Sequence, residues 1–413
     1  MVRPNKSGSK SPRAAAIEQS LGRKPRRVLF VTDFYLENLL EGVVDYAREA
    51  GWQLNANMRF HGHLPPVDQP GEGILATVTG STPAGERVRD WLAARNDCPI
   101  VRMTSTNFIL PYPAVEVDYA AAGKIGARHL LELGYVHFAF YLLFDIKDNS
   151  EARNSFEAEL ATAGRGAYRL NFQAAHPGWG SLQVEPEERH RWLANELKHL
   201  PKPLAVMGDD DRRSLELLAA CDLAGLRVPE DVAILGCDNH WVEQGMSRIP
   251  LSSVDMNFNG AGGRAAALLD ELMQGAVPPS RVIKVSPVGV VARRSTATFV
   301  TDSAGITVAV VYLREHFHEP IRLAHLARLA GMSVRVFQSE FKRRVGHSAR
   351  DELQRARLAC AARLLRDSDL KLEAIAMESG FGSAAQLCRF FARAYGSSPN
   401  VWRERMKGNP GSP

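Results

Sequence analysis

From Val28 onward, short β-branched and apolar runs alternate with amphipathic segments. Val28–Thr32 reads as a buried strand, and the helix that follows runs Leu39–Ala50 before Gly51 ends it. Gly73–Thr79 and Pro99–Met103 read as further strands, with a helix over Glu86–Arg95 between them. Strands at Val115–Val117, Val136–Phe144, Leu204–Met207, Val232–Leu235 and Ser252–Met256 continue the series. Helices fall near Ala121–Leu133, Ala152–Ala163, Glu188–His199, Arg212–Ala224 and Ala261–Gln274. This alternation implies parallel sheets covered by helices on both faces. Roughly 270 residues is long for one such sheet, so the expected body is a two-lobed, doubly wound α/β domain with a cleft.

From Thr307 the strand signals stop and helical periodicity takes over. Leu323, Leu326, Ala327 and Ala330 recur at i, i+3, i+4 and i+7, the mark of a helix with one buried face. Gly331-Met-Ser333 then makes a turn, with Ser333 placed to cap a second helix. In that helix Phe337, Phe341 and Val345 form a core stripe, while Arg335, Gln338, Ser339 and Lys342 share the opposite stripe. This is the layout of a helix-turn-helix, whose second helix enters the DNA major groove. Fifty residues later the unit repeats: Ile375-Ala376 lead through Ser379-Gly-Phe-Gly382 to Ser383, and Leu387 and Phe391 follow that cap as Phe337 and Phe341 follow Ser333. The amphipathic segment Ser348–Leu365 joins the two. The organisation expected is a basic arm over 1–27, a sensor over 28–294, a linker over 295–306 and an all-α double helix-turn-helix over 307–407.

The distribution of charge agrees with that division. The 413 residues carry a net +5, but residues 1–27 hold +7, residues 305–413 hold +8 and the body between them holds −10. Basic ends suit a polyanion, and an acidic body suits another task. The arm, rich in Ser, Pro, Gly, Lys and Arg, reads as disordered. The longest apolar stretches, such as Phe138–Phe144, fall far short of the ~20 residues of a membrane span, and the N-terminus lacks an apolar signal core. A cytoplasmic, nucleoid-associated protein is expected. Five cysteines with no close pair suggest neither a disulfide framework nor zinc. His61 and His63, like His316 and His318, have metal-compatible spacing without a third ligand nearby, and read as surface residues. Neither a metal nor a cofactor is expected.

The helical segment closely resembles the AraC family of transcription regulators. The second motif appears as Ile375-Ala376, Gly380-Phe381, Phe391, Gly396 and Ser398-Pro399, and the first as Leu326-Ala327, Phe341-Lys342-Arg343 and Gly346. The resemblance places base contacts on Arg335, Gln338 and Ser339, and on Ala384, Ala385, Gln386 and Arg389. Arg suits guanine and Gln suits adenine, so the residues agree with the family for the first helix. The second helix is poor in donors and is expected to read through Arg389, Gln386 and thymine-methyl contact, with less discrimination. Lys342, Arg343 and Arg393 suit phosphates, which orient without specifying. Arg357, Arg363 and Arg366 fit a phosphate-facing stripe and a solvated face equally well.

In the body, ligands of open α/β sheets bind beyond the carboxyl ends of the strands, which places Asp33, Asp118, Asp209-Asp210-Asp211 and Asp238 toward a cleft. Carboxylates accept hydrogen bonds from neighbouring hydroxyls in pairs, as an uncharged polyol requires, and Arg153 can supply a donor. The alternative for Asp118 and Asp210 is helix capping. This region resembles the effector-binding domain of the LacI family through Asp118-Tyr-Ala-Ala-Ala-Gly123, His129–Gly134, Arg153 with Phe156, Asp209, and Val228-Pro229 to Gly236-Cys-Asp238. That resemblance makes Asp33, Asp118, Arg153, Asp209 and Asp238 candidates for sugar contact. The usual Asn-Asp pair stands here as Gly208-Asp209, and the N-terminal DNA module of that family is absent. The joined architecture resembles the xylose operon regulators over residues 28–405, with Asp238-Asn239, Ser247-Arg248 and Leu251–Val254 most alike. It implies D-xylose as effector, Asn239 as a further contact, a homodimer on operator DNA, activation of transcription and RNA polymerase as a candidate partner.

A hydride-transfer enzyme is the rival reading, since Gly260-Ala-Gly262-Gly-Arg-Ala265 fits a dinucleotide fingerprint. The context fails: the pattern is not in the first strand-helix unit, and no acidic residue lies between Glu271 and Asp302 to hold a ribose. Close helix packing explains its glycines better. A non-enzymatic regulator is therefore expected.

Overall fold

The structure is a computed structural model of all 413 residues. It describes residues 25–34, 36–78, 82–95, 97–104, 110–143, 147–176, 185–280, 282–297, 303–345 and 347–406. The basic arm up to residue 24, Thr79, Phe144, Gly346, Lys407 and residues 298–302 of the expected linker thus lie outside the described residues. The strands, in chain order, are β1 (Arg27–Thr32), β2 (Gln53–Asn55), β3 (Gly73–Thr77), β4 (Ile100–Arg102), β5 (Val115–Val117) and β6 (His137–Leu142). They continue as β7 (Ala167–Asn171), β8 (Leu204–Gly208), β9 (Val232–Cys237), β10 (Ser252–Asp255), β11 (Ile283–Val285) and β12 (Gly289–Val291).

The chain forms two compact units. One contains residues up to Ala121 together with 146–151 and 256–288; the other contains 122–145, 152–255 and everything from Gly289 onward. The first unit is built on a parallel sheet in the order β2-β1-β3-β4, beside a parallel β5-β11 pair. Alternation along β1 explains its two covered faces. Leu29 and Val31 join Ile74, Ala76, Trp91 and Leu92 in one core, so Val28 and Phe30, also buried, take the other side. The helix Pro83–Ala93 starts three residues earlier than its apolar period suggests, because Thr82 Oγ1 caps it by accepting from Gly85 N at 3.0 Å.

The glycines of the dinucleotide-like pattern have a packing role. The helix Phe258–Met273 lies against Glu37–Glu49 so closely that a Cβ on Gly262 would stand 2.0 Å from Leu39 O, and one on Gly42 would stand 1.9 Å from Asn259 O. Backbone meets backbone there, and no side chain larger than hydrogen fits.

The second unit holds a sheet ordered β12-β10-β9-β8-β6-β7, parallel except for β12, which runs antiparallel to β10 at the edge. Ala139 and Tyr141 of β6 face Leu193, Leu197 and Leu217 from the helices Pro186–His199 and Asp211–Ala224. Phe140 points the other way and meets Phe156 of Lys147–Thr162, ring centroids 5.4 Å apart. Helices on both faces therefore bury the central strands β6, β8 and β9, as their near-continuous apolar sequences require.

The expected linker is shorter than 295–306. Ser295 and Thr296 sit buried in a 3-10 turn, Arg294–Thr296, where Ser295 Oγ donates to Ile234 O at 2.6 Å and Thr296 Oγ1 to Ser252 Oγ at 2.7 Å. Their hydroxyls complete the hydrogen bonding of β10, a role with no periodicity to reveal it. The helical part begins at Ala304, in the helix Ala304–Glu315, and belongs to the same unit as the second sheet. It continues with Leu323–Leu329, Val334–Val345, Ala349–Asp367, Leu372–Glu378, Ala384–Tyr395 and Pro399–Met406. Ser348 and Asp351 form a reciprocal cap at the start of Ala349–Asp367. Glu352, buried, accepts from Arg314 Nε at 2.6 Å and from His347 Nε2 at 2.7 Å and so ties Ala304–Glu315 to that helix.

The helix contact gives a prediction with an unusual sign. Ala for Gly in an exposed helix normally stabilises by up to ~1 kcal/mol, and Gly263→Ala is expected to follow that rule, because its Cβ would meet only Gly42 O at 3.7 Å. Gly262→Ala is expected to destabilise by about 1–3 kcal/mol through overpacking. Urea unfolding of the two variants beside the parent checks the pair; equal midpoints would contradict the packing account.

Candidate functional site

Each sheet has a topological switch point, the position where successive connections leave in opposite directions, and ligands bind at the carboxyl ends of the strands there. In the second sheet β6 connects outward to β7 and the chain then returns to β8 on the other side of β6, so the switch lies between β6 and β8. Asp209, Asp210 and Asp211 follow β8 directly, and Asp238 follows β9, the next strand. In the first sheet the switch lies between β1 and β3, and Asp33 occupies it, its backbone N–H donating to Thr77 O at 3.3 Å. Asp118 follows β5 in the first unit, and its Oδ1 accepts from Ala121 N at 2.9 Å, capping the helix Tyr119–Glu132.

The three successive aspartates have different tasks. Asp210 caps the helix Asp211–Ala224 by accepting from Arg213 N at 2.6 Å. Asp209 is 7% exposed, and burial, then the neighbouring Asp210, push its carboxyl well above the usual range. Asp211, grouped with its two neighbours by the sequence but not singled out as a contact, is the most firmly held of the three. It is 1% exposed and accepts from Ser253 Oγ at 2.6 Å, His240 N at 2.9 Å and Gln244 Nε2 at 3.4 Å. A Cβ at Gly236 would stand 2.1 Å from its Oδ1, so the strand end closes onto Asp211 only with glycine there. Burial pushes Asp211 up to about 7 although the bonds from Ser253 and His240 pull it down. The available signal was the pair Ser252-Ser253, two hydroxyls in a strand buried on both faces, which need partners there.

Behind this turn sits an ionic brace. Glu216 accepts from Tyr141 Oη at 2.6 Å, from Arg189 at 2.9 Å and from Arg213. Burial alone would raise Glu216, but Arg213 and the bonds from Tyr141 and Arg189 hold it below the ordinary carboxylate value. The brace fixes the first turns of Asp211–Ala224 and hence the aspartates before it.

Asp238 and Asn239 form a left-handed turn, with φ of 106° and 53°. Non-glycine residues rarely adopt such angles, and they persist where the surroundings over-determine them. Here Asp238 N donates to Val254 O at 2.9 Å and Asn239 N to Ser253 Oγ at 2.9 Å. Burial, then the nearby Asp210 and Asp211, push the Asp238 carboxyl well above its ordinary value. Asn239, the further expected sugar contact, also braces the framework: its Oδ1 accepts from Arg293 at 2.7 Å and its Nδ2 donates to Asp255 at 3.3 Å. Arg153, half-buried, lines a cavity of about 450 Å³ in this unit with Leu142, Asn171, Trp192 and Glu196. Among the described residues no cluster of His, Cys, Asp and Glu could hold a metal ion.

The helical part presents its two second helices as the repeat predicts. Phe337, Phe341, Leu387 and Phe391 are fully buried, whereas Arg335, Gln338, Ser339, Lys342 and Arg343 are exposed on Val334–Val345. Ala385, Arg389 and Arg393 are exposed on Ala384–Tyr395, and Ala384 is partly buried. Arg343 is paired with Glu340 at 2.8 Å, and Arg389 lies over the Phe390 ring at 5.5 Å. Gln386 has a local partner as well: its Oε1 accepts from Gly382 N at 2.9 Å, which caps the helix and leaves the amide N–H to donate.

Residues 127–296 match the periplasmic binding protein-like domain, and residues 326–405 match a helix-turn-helix domain. Over 384 residues the chain is 26% identical to the xylose operon regulatory protein of Escherichia coli K12, spanning 90% of this chain and 94% of that one. The counterpart in Haemophilus influenzae is 24% identical over 382 residues, 89% of this chain and 95% of that one. The solved structure of the xylose-binding transcription activator XylR superposes with a TM-score of 0.56 at 24% identity, covering 92% of this chain and 98% of that one. A LacI-family regulator from Chloroflexus aggregans superposes with a TM-score of 0.50 at 20% identity, over 65% of this chain and 98% of that one. The chain is a helix-turn-helix transcription regulator carrying a periplasmic-binding-protein-like domain. These relatives are regulators rather than enzymes, which leaves the hydride-transfer reading without support. No helix among the described residues of the regulator is long and apolar enough to cross a membrane.

The raised Asp211 carboxyl predicts a pH dependence of stability. The folded regulator keeps this proton up to about 7, whereas the unfolded chain releases it near 3.8. Between those values the folded state binds more protons, so this group's contribution to stability falls as pH rises through the window. Asp211→Asn removes the titration and is expected to flatten the decline by up to ~1.4 kcal/mol per pH unit. Urea unfolding at pH 5, 6 and 7 measures it; a slope identical to the parent's would contradict the assignment.

Proposed function

We propose that this regulator responds to a neutral monosaccharide, D-xylose, and couples its binding to operator DNA. The observation that carries the reading is the group of desolvated carboxyls beyond the switch point of the second sheet, with Asp209, Asp211 and Asp238 all shifted upward by burial. Groups in that condition gain most from a ligand rich in hydroxyl donors and without charge. The names of the Escherichia coli and Haemophilus influenzae relatives support xylose as that ligand. The residues proposed for contact are Asp33, Asp118, Arg153, Asp209 and Asp238. Asn239 holds the turn that presents Asp238.

Operator DNA is read by Arg335, Gln338 and Ser339, with Lys342 and Arg343 on phosphates. The second helix reads through Arg389, the free amide N–H of Gln386 and the apolar faces of Ala384 and Ala385, with Arg393 on phosphate. The regulator acts as a homodimer in the cytoplasm, in the nucleoid, and activates transcription with RNA polymerase as its partner. No metal or cofactor takes part.

Two outcomes are expected. Titration calorimetry of the full-length regulator against D-xylose, L-arabinose, D-ribose, D-glucose and D-galactose should show selective xylose binding, weakened about 10-fold or more in Asp238→Ala by the loss of hydrogen bonds worth about 0.5–1.5 kcal/mol each; silence to all five would overturn the effector. Single-base scanning of the bound site should show its larger penalties, about 1–3 kcal/mol each, in the half read by Arg335 and Gln338. Larger penalties in the half facing Ala385 would reverse the assignment of the two helices.

A further inference from the structure

Asp255 closes β10 and is the last residue of the second unit before the chain passes into the first. Its side chain is 19% exposed, and one oxygen, Oδ2, meets two partners. On one side it accepts from Asn239 Nδ2 at 3.3 Å, within the left-handed turn that presents Asp238. On the other it lies 3.5 Å from the guanidinium of Arg366, itself 19% exposed. Arg366 stands in the last turn of Ala349–Asp367, the helix that joins the two helix-turn-helix motifs. One turn or so earlier on the same helix, Leu358, Ala361 and Leu365 pack into a single core with Ile375, Ala376, Phe381, Leu387 and Phe391 of the second motif. Arg366 was open to a solvated reading from sequence; the structure gives it a carboxylate of the other fold.

We propose that Asp255 and Arg366 are positioning residues that couple the Asp238–Asn239 turn to the second DNA-reading motif. A turn with two positive-φ residues held by outside hydrogen bonds has a neighbouring relaxed conformation, the kind of two-state element that coupling requires. When that turn moves, Asn239 withdraws from or presses on Asp255, and the ion pair conveys the change to a helix rigidly packed on the reader. Arg293 grips the same Asn239 at 2.7 Å and leads directly into the 3-10 turn Arg294–Thr296, so the Asp238–Asn239 turn is held from two sides. Each side chain is 19% exposed, so Asp255→Asn and Arg366→Lys, which keep most of the volume, test the coupling with least disturbance of the packing. The inference rests on the reading of the Asp238 turn as part of the sugar site, and deepens it by naming how that site is heard.

The test uses the full-length regulator, with a DNA duplex that it selects from a random-sequence pool, in four forms: parent, Asp255→Asn, Arg366→Ala and Arg366→Lys. D-xylose is expected to change the parent's duplex affinity by a factor in the range of about 5–150, the usual span of such coupling. In Arg366→Ala and Asp255→Asn that factor should fall below about threefold while xylose affinity and sugar-free duplex affinity stay within about threefold of the parent, and Arg366→Lys, which keeps the charge, should retain most of it. An unchanged factor in Arg366→Ala overturns the proposal. If the parent binds no sugar, the sugar reading fails and the coupling is judged from the DNA side by hydrogen exchange. The duplex should then slow amide exchange across Gly236–Trp241 in the parent and not in Arg366→Ala; protection that survives in Arg366→Ala, or is missing from the parent, overturns it.

Discussion

The ligand end of the second sheet depends on one buried carboxyl. Asp211 accepts from Ser253 on β10, from the backbone of His240 after β9 and from Gln244 in the helix Trp241–Met246, so one side chain draws three successive pieces of chain together. Its burial is costly for a charge, and the three donors offset that cost. Gly236 lets the strand end approach, and Ser253 also receives Asn239 N, which fixes the turn carrying Asp238. Remove the hydrogen bonds of Asp211, and the left-handed turn loses the frame that over-determines it.

The same turn lies where the chain's two tasks meet. Asn239 is held by Arg293 and Asp255, and both lead into the helical part, one along the chain and one through Arg366. The serine and threonine hydroxyls around β10 serve this junction as well, since Ser252 bonds Arg293 and Thr296. A regulator needs its ligand contacts and its DNA contacts to bias one shared element, and the element proposed for that task is a short strand end with buried polar partners.

Much of this was legible in the sequence, and the failures have physical causes. The apolar strands of the second sheet, buried on both faces, stand out as continuous runs, and the double helix-turn-helix is visible because two core stripes recur at one fixed offset. By contrast β7, with Arg169 and Tyr168 exposed, and β12, three residues long and antiparallel, carry too little pattern to announce a strand. The aspartates after β8 were recognised as a group, but which one caps and which one is fastened depends on the path of Ser253 and His240, residues far along the chain. Gln386 and Asn239 were read as ligand groups because their chemistry permits it; each proves to spend a hydrogen-bonding atom on local backbone or framework, which spacing alone does not disclose.

The central claim is that one chain joins a sugar site to DNA reading through a shared free energy, and reciprocity tests it most directly. The affinity of the purified full-length regulator for D-xylose should be measured with and without a saturating selected duplex, and its affinity for the duplex with and without saturating D-xylose. The account predicts the same factor, clearly different from one, in both directions. Tight binding of both ligands with each indifferent to the other would contradict it.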